Sequence, residues 1–314
     1  MKKVVFALLA LFSALNSMAQ ESQTVYNFLR LPVSAHASAL GGENITIVEN
    51  DASLIFSNPA LLSNVADKTV GFNYMNYMQG VNTMSASYNM NVLEHGAVGV
   101  TGQFIDYGTM KETNMEGIQT GDFNARDIAL AGYFSYFLTD KISGGIAAKF
   151  ITSNIGNYNS LGVGVDLGLN FYDDESELSI SAVAKNLGGQ VKAYDDNYEP
   201  MPIDLQAGVS KRLVNTPLRL NATLVNLNHW NTSFRDHLAI GADFILSQSI
   251  WVGCGYNFRR SSEMTFGTGD DESAHGAGLT LGGGLNLDRI KVNIAWGKYH
   301  VASSSLIINL AYSL

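Results

Sequence analysis

The sequence predicts an all-β fold: a 14-stranded antiparallel transmembrane β-barrel with an N-terminal plug or hatch segment. Three observations predict it. The chain opens on an export-type leader, fourteen segments from Thr69 onward alternate with period two, and long connections between them alternate with short ones.

The leader comes first. Lys2 and Lys3 precede an apolar run from Val4 to Leu15, and Ser17 and Ala19 supply the small-x-small pattern of signal-peptidase cleavage before Gln20. Residues 1–19 are therefore expected to be a signal peptide. The run is too short to cross a hydrocarbon core of ~30 Å as a helix.

Beyond the leader no stretch approaches ~20 consecutive apolar residues, which excludes helical spans. Charged residues make up 15% of the 314, below the ~25% of ordinary soluble domains, while Gly reaches 31 copies. The net charge of −9 and the lack of Lys/Arg clusters exclude nucleic-acid binding. The single cysteine, Cys254, cannot close an internal disulfide and reads as a small apolar strand residue.

Residues 20–67 are irregular and are expected to form the plug; residues 68–314 are expected to form the barrel. Within the plug, Ser34 to Leu40 can make one or two helical turns that Gly41-Gly42 stop, and Asn58-Pro59 forces a turn. The barrel segments run 69–78, 83–92, 97–107, 125–137, 142–152, 160–171, 178–188, 204–213, 217–227, 236–247, 249–260, 277–287, 290–300 and 304–313. Each is near the ~10 residues that a tilted strand needs to cross a bilayer.

The faces separate cleanly in several segments. Leu161, Val163, Val165, Leu167, Leu169 and Phe171 oppose Gly162, Gly164, Asp166, Gly168 and Asn170. A soluble sandwich would also alternate. Loop lengths discriminate: connections after even-numbered strands are short (Glu94-His95, Thr139-Asp140, Asn215-Thr216), and most of those after odd-numbered strands are long (108–124, 153–159, 189–203, 228–235, 261–276). That is the pattern of an up-and-down barrel with periplasmic turns and extracellular loops. Aromatic residues near strand ends, including Tyr107, Phe134, Trp296, Tyr299 and Tyr312, suit interfacial girdles.

A Gly41-Gly42 pair followed some fifteen residues on by Asn58-Pro59-Ala60, leading into fourteen strands, resembles the FadL-type outer-membrane proteins. The fuller string, Phe28 to Gly42 with Ser57 to Leu62, is similar to the PorV/PorQ family of the type IX secretion system. The short loops and the length place it on the PorQ-like side of that branch. The resemblance implies an integral outer-membrane location in a Gram-negative bacterium, among lipid and lipopolysaccharide. It also implies a non-enzymatic role: anchoring a PorZ-like surface partner in the cell-surface attachment complex, with PorU and PorV nearby.

The residues themselves show no catalytic constellation. Six histidines are scattered without a supporting motif, and no nucleophile-elbow, zinc-protease or phosphate-loop pattern occurs. No catalytic, cofactor or metal site is expected; the acidic run Gly269 to Glu272 lacks the spacing of a calcium loop. Asp127, Lys149, Asp166, Lys185, Arg219 and Asp243 fall on inward faces and are candidates for lumenal ion pairs or plug contacts. Met110, Met115, Tyr194, Tyr198, Met264 and Phe266 fall in the long connections and are candidates for a partner-docking face. Two functions follow: a structural anchor for a surface protein, or a FadL-like channel for hydrophobic small molecules gated by the plug.

Overall fold

The computed structural model describes residues 24–78, 80–230, 232–264, 276–300 and 303–314. The expected signal peptide, the acidic run 269–272 and Phe266 lie outside the described residues. Fourteen strands form one closed antiparallel barrel in which each strand pairs with its neighbours in sequence and β1 closes on β14. In order they are β1 Thr69–Asn76, β2 Asn82–Val92, β3 Gly96–Thr113, β4 Gln119–Thr139, β5 Ile142–Ile155, β6 Tyr158–Asp173 and β7 Leu178–Lys192. They continue as β8 Asp204–Arg212, β9 Leu218–Leu224, β10 Leu238–Ile245, β11 Ile250–Asn257, β12 Leu279–Asn286, β13 Ile290–His300 and β14 Ser303–Ser313. The seam runs from Thr69 opposite Ser313 to Asn76 opposite Leu306, so the sheet has no free edge there.

The outer surface carries Phe72, Leu130, Leu169, Leu220, Ile294 and Leu310, all exposed on alternate positions around the circumference. A continuous apolar belt of this extent is not tolerated by water and is what hydrocarbon requires. Cys254 lies on this outer face. The barrel is therefore a membrane-spanning one, crossing with strands.

Two departures from the sequence expectation concern the long connections. Residues 108–124 are not a loop: β3 and β4 continue as a hairpin, pairing Thr109 with Asn124 through Thr113 with Gln119. Beyond Asp106 and Asn124, whose carbonyl accepts the Gly156 amide at 2.9 Å, neither strand pairs with another strand on its other side among the described residues, so the hairpin stands free above the barrel. Likewise 153–159 is nearly all strand, closing in a tight turn at Gly156 whose φ of 55° favours glycine. Hydrophobicity alternates only where one face meets lipid, so strand beyond the membrane loses that signal. Tyr107 and Tyr299 also leave the expected girdle: Tyr107 hydrogen-bonds lumenal Asp127 at 2.8 Å, and Tyr299 is buried beneath Arg260.

Residues 24–66 occupy the lumen. Ser34 caps helix α1 (Ala35–Ala39) by accepting the Ala37 amide at 3.3 Å, and Gly41 and Gly42 then take φ of 97° and 88° to end it. Asn58 caps a 3₁₀ turn, Pro59–Asn64, with Pro59 at its first position. Leu40, Ile47, Leu54 and Leu61 form the plug's own small core.

Candidate functional site

The inward faces of the strands are small and polar because they receive this plug. At Gly145 and Gly168 an added Cβ would lie 2.3 Å from the Pro59 carbonyl carbon and 2.1 Å from Asn58 Oδ1, so only glycine lets the Asn58-Pro59-Ala60 turn seat against β5 and β6. Asn58 is fully buried; its Oδ1 accepts the Ala60 amide at 2.9 Å and its Nδ2 donates to the Ile45 carbonyl at 3.1 Å. Ser135 and Ser143 each donate to the Ala60 carbonyl at 3.1 Å. The Gly41 turn presses on β11 in the same way, with the Gly41 amide 2.2 Å from where a Gly255 Cβ would be. Thr280 accepts the Gly41 amide at 3.0 Å and donates to the Ala39 carbonyl at 2.9 Å. Asn257, Asn293 and Asn309 donate to Gly41, Asp51 and Val33 at 3.1, 2.9 and 2.9 Å. Plug backbone that would otherwise be buried unsatisfied is thereby paired by the wall.

Toward the short-turn end the charges form one closed cluster. Arg219 Nη2 lies 2.7 Å from Glu49 Oε1 and 2.8 Å from Asp243 Oδ2. His36 Nε2 lies 3.1 Å from Asp243, and His36 Nδ1 lies 3.2 Å from Glu49, the latter an ionic contact without hydrogen-bond alignment. The imidazole stacks on Trp251 with ring centroids 3.5 Å apart. Burial works against the charge on His36, but Glu49 and Asp243 outweigh it and hold its pKa above the ordinary value. Burial likewise opposes the Glu49 anion, and His36 and Arg219 reverse this to hold it well below the usual carboxylate range. Two charges from the plug are thus locked to two from the wall.

Toward the long-loop end the contacts between plug and wall are apolar as well as polar. An apolar slot formed by Ile105, Ala129, Ile151 and Met201 is filled by the plug's first described residues, Val25, Tyr26 and Phe28. The Val25 amide donates to the Pro200 carbonyl of the β7–β8 loop at 3.0 Å. Beside the slot, Asp127 accepts from Tyr107 and Ser153, and Lys149 lies 2.6 Å from Asp166. Between plug and wall is a cavity of about 80 Å³, whose lining includes Arg30, Glu43, Tyr133, Lys149, Lys185, Asp204, Gln206 and Arg259. That is room for about six waters at 10–15 Å³ each.

The structure places all six lumen candidates on the inside. Arg219 and Asp243 sit together, as do Lys149 and Asp166; Asp127 joins the tyrosine–serine network; and Lys185 faces the cavity without an ion pair among the described residues. Of the loop candidates, Met115 is fully exposed at the free hairpin's tip, Met110 lies lower on it, Tyr198 is exposed, and Met264 ends helix α2 (Phe258–Glu263). Tyr194 requires correction: its hydroxyl turns inward to Ser153, so it is a lumenal residue rather than part of a docking face. Sequence reasoning missed His36, Glu49, Arg30, Glu43 and Trp251. The first four lie in irregular backbone where no periodicity assigns a face, and nothing in the period-two pattern of 249–260 marks Trp251 as a plug contact.

No protein-family model matches the chain, and no curated protein matches it. Solved structures do. The toluene transporter TodX of Pseudomonas putida aligns over 90% of this chain and 96% of its own, at TM-score 0.53 and 15% identity. The toluene transporter TbuX of Ralstonia pickettii aligns over 90% and 98%, at TM-score 0.57 and 12% identity. A Pseudomonas aeruginosa FadL homologue aligns over 90% and 98%, at TM-score 0.53 and 11% identity. At these identities the likeness is one of fold, and the chain is a closed fourteen-stranded barrel of the FadL-like kind.

Proposed function

We propose that this chain is an outer-membrane channel of the FadL-like type that admits small hydrophobic molecules, with residues 24–66 as its gate. The reading is carried by a barrel alignment that covers about 90% of this chain and nearly the whole of two toluene transporters. The apolar slot at the long-loop end supports it: a guest displacing Val25, Tyr26 and Phe28 would meet Ile105, Ala129, Ile151 and Met201. In the described state the plug closes that route, so passage requires the segment before Leu31 to withdraw. Uptake of labelled toluene by a strain lacking the chain, with and without a restored copy, tests this. Restored uptake is expected; equal uptake in both strains overturns the channel.

A second reading, an anchor for a surface protein, is favoured by the free hairpin, whose two edges are unpaired and whose tip exposes Met115 and Ile118. On the sequence resemblance that partner would be PorZ-like, within a type IX attachment complex including PorU and PorV. Affinity purification from detergent-solubilised outer membranes separates the two readings. A stable surface protein that is lost when residues 109–123 are exchanged for a short turn supports the anchor; a lone barrel sinks it.

A further inference from the structure

The slot at the long-loop end is not uniformly apolar. Of the plug side chains that fill it, Tyr26 carries a polar group into the wall: its hydroxyl meets Ser160 Oγ of β6 at 2.5 Å, and both residues are buried. The proton of Ser160 is already committed, donated to the Lys192 carbonyl at 2.7 Å. The same oxygen accepts from Gln190 Nε2 at 2.9 Å, and Gln190 is held in that orientation by the Glu199 amide, which donates to its Oε1 at 2.7 Å. One lone pair of Ser160 is left, and it can only accept. Tyr26 is therefore the donor, and the seat selects a hydroxyl over an ether or a carbonyl.

The ring is held as closely as the hydroxyl. Gly162 shares the inward face of β6 with Ser160, and an added Cβ there would lie 2.5 Å from Tyr26 Cε2, so only glycine leaves room for an aromatic ring. Ile105, Ala129, Ile151 and Met201 supply the apolar remainder. Tyr26 reaches this seat through a left-handed backbone, with φ of 56° and ψ of 40°, a region that disfavours residues bearing a Cβ. A free phenol makes the same contacts without that strain.

We infer that the Tyr26 seat is the recognition site for the guest, and that the guest is a phenol with a small apolar para substituent. The Tyr26 side chain takes its place while the gate is closed, and Ser160 and Gly162 set the specificity. This rests on the channel reading and names its substrate class.

Two measurements test it. The first is uptake of labelled p-cresol and toluene, which differ by the hydroxyl alone, in cells producing the wild-type chain or Ser160→Ala, each relative to cells lacking the chain. The ratio of p-cresol to toluene uptake is expected to fall about fivefold in the variant, the worth of one net hydrogen bond. Any general loosening of the gate acts on both compounds and cancels. An unchanged ratio overturns the phenol assignment and leaves the channel standing. Failure of the wild-type chain to take up either compound overturns the channel reading and this one with it.

The second measurement needs no transport: the purified full-length barrel is titrated calorimetrically with p-cresol in detergent. Tyr26→Gly accepts the left-handed backbone and vacates the seat. It is expected to bind saturably and at least tenfold more tightly than the wild-type barrel, and adding Ser160→Ala is expected to weaken that binding about fivefold. Equal affinity of the wild-type and Tyr26→Gly barrels, or no saturable binding by Tyr26→Gly, overturns the seat.

Discussion

The two ends of the lumen are built to opposite rules. At the short-turn end Arg219, Asp243, His36 and Glu49 neutralise one another within 3.2 Å. At the long-loop end an apolar slot is filled by three plug side chains, and beside it is a cavity lined by Arg30, Lys185, Glu43 and Asp204. One end is closed charge on charge, and the other keeps a cavity beside an apolar slot. A barrel that must stay assembled while admitting something from outside needs this division: a fixed attachment below and replaceable contacts above.

The largest test of this division removes one member of the lower cluster. Arg219→Met leaves Asp243 buried opposite His36 alone, and breaking such a pair costs about 3–5 kcal/mol. Equilibrium urea unfolding in detergent is expected to show that loss, with Asp243→Leu in the same chain recovering most of it. A loss under 1 kcal/mol would mean that the cluster does not hold the plug.

Smaller effects separate plug-facing glycines from lipid-facing ones. Gly145→Ala drives a methyl into Pro59 backbone and is expected to cost roughly 1–3 kcal/mol, as overpacking does. Gly132→Ala meets nothing within 4 Å and is expected to be neutral in the same assay. Equal costs would erase the contrast.

Acidity should act on the lower end first. The raised His36 pKa contributes stability that is complete below its unfolded value of about 6.5 and is lost as pH climbs through the folded value. The lowered Glu49 pKa contributes stability present above about 4.3 and lost as pH falls toward the folded value. Asp243, Arg219 and the Trp251 ring face the same imidazole, and Lys291 adds a cation toward Glu49. Plug attachment, read as protease resistance of residues 24–66, is therefore expected to be greatest between about pH 4.5 and 6.5. A His36→Gln chain should lose the decline above that window.

The smallest expected effect is on the hairpin. Replacing residues 109–123 by a short turn removes strand that neither β2 nor β5 supports, and barrel stability is expected to change by under about 0.5 kcal/mol. A larger loss would make the hairpin part of the barrel's framework.

The barrel was legible in the sequence because its signal is local. Each strand meets lipid on one face and the lumen on the other, so the face of Leu169 or Asp166 can be read from immediate neighbours, and all fourteen strands were recognisable, β3 and β4 only over their membrane-spanning parts. The helical turn before Gly41-Gly42 and the turn at Asn58-Pro59 were legible for the same reason. Extended strand above the membrane was not, because residues 108–124 meet water on both sides and lose the alternation.

Sequence alone thus determined strand number, facing direction and the smallness of the inward residues. Only the tertiary structure decided what those residues meet. Arg219 and Asp243 are neighbours by barrel register, whereas His36 and Glu49 reach them across more than 150 residues of chain. The same closure turned Tyr194 inward and left Arg30 and Lys185 facing one cavity. A period of two assigns each residue a side; which charges on that side are paired and which are left open depends on how the plug lies in the closed barrel.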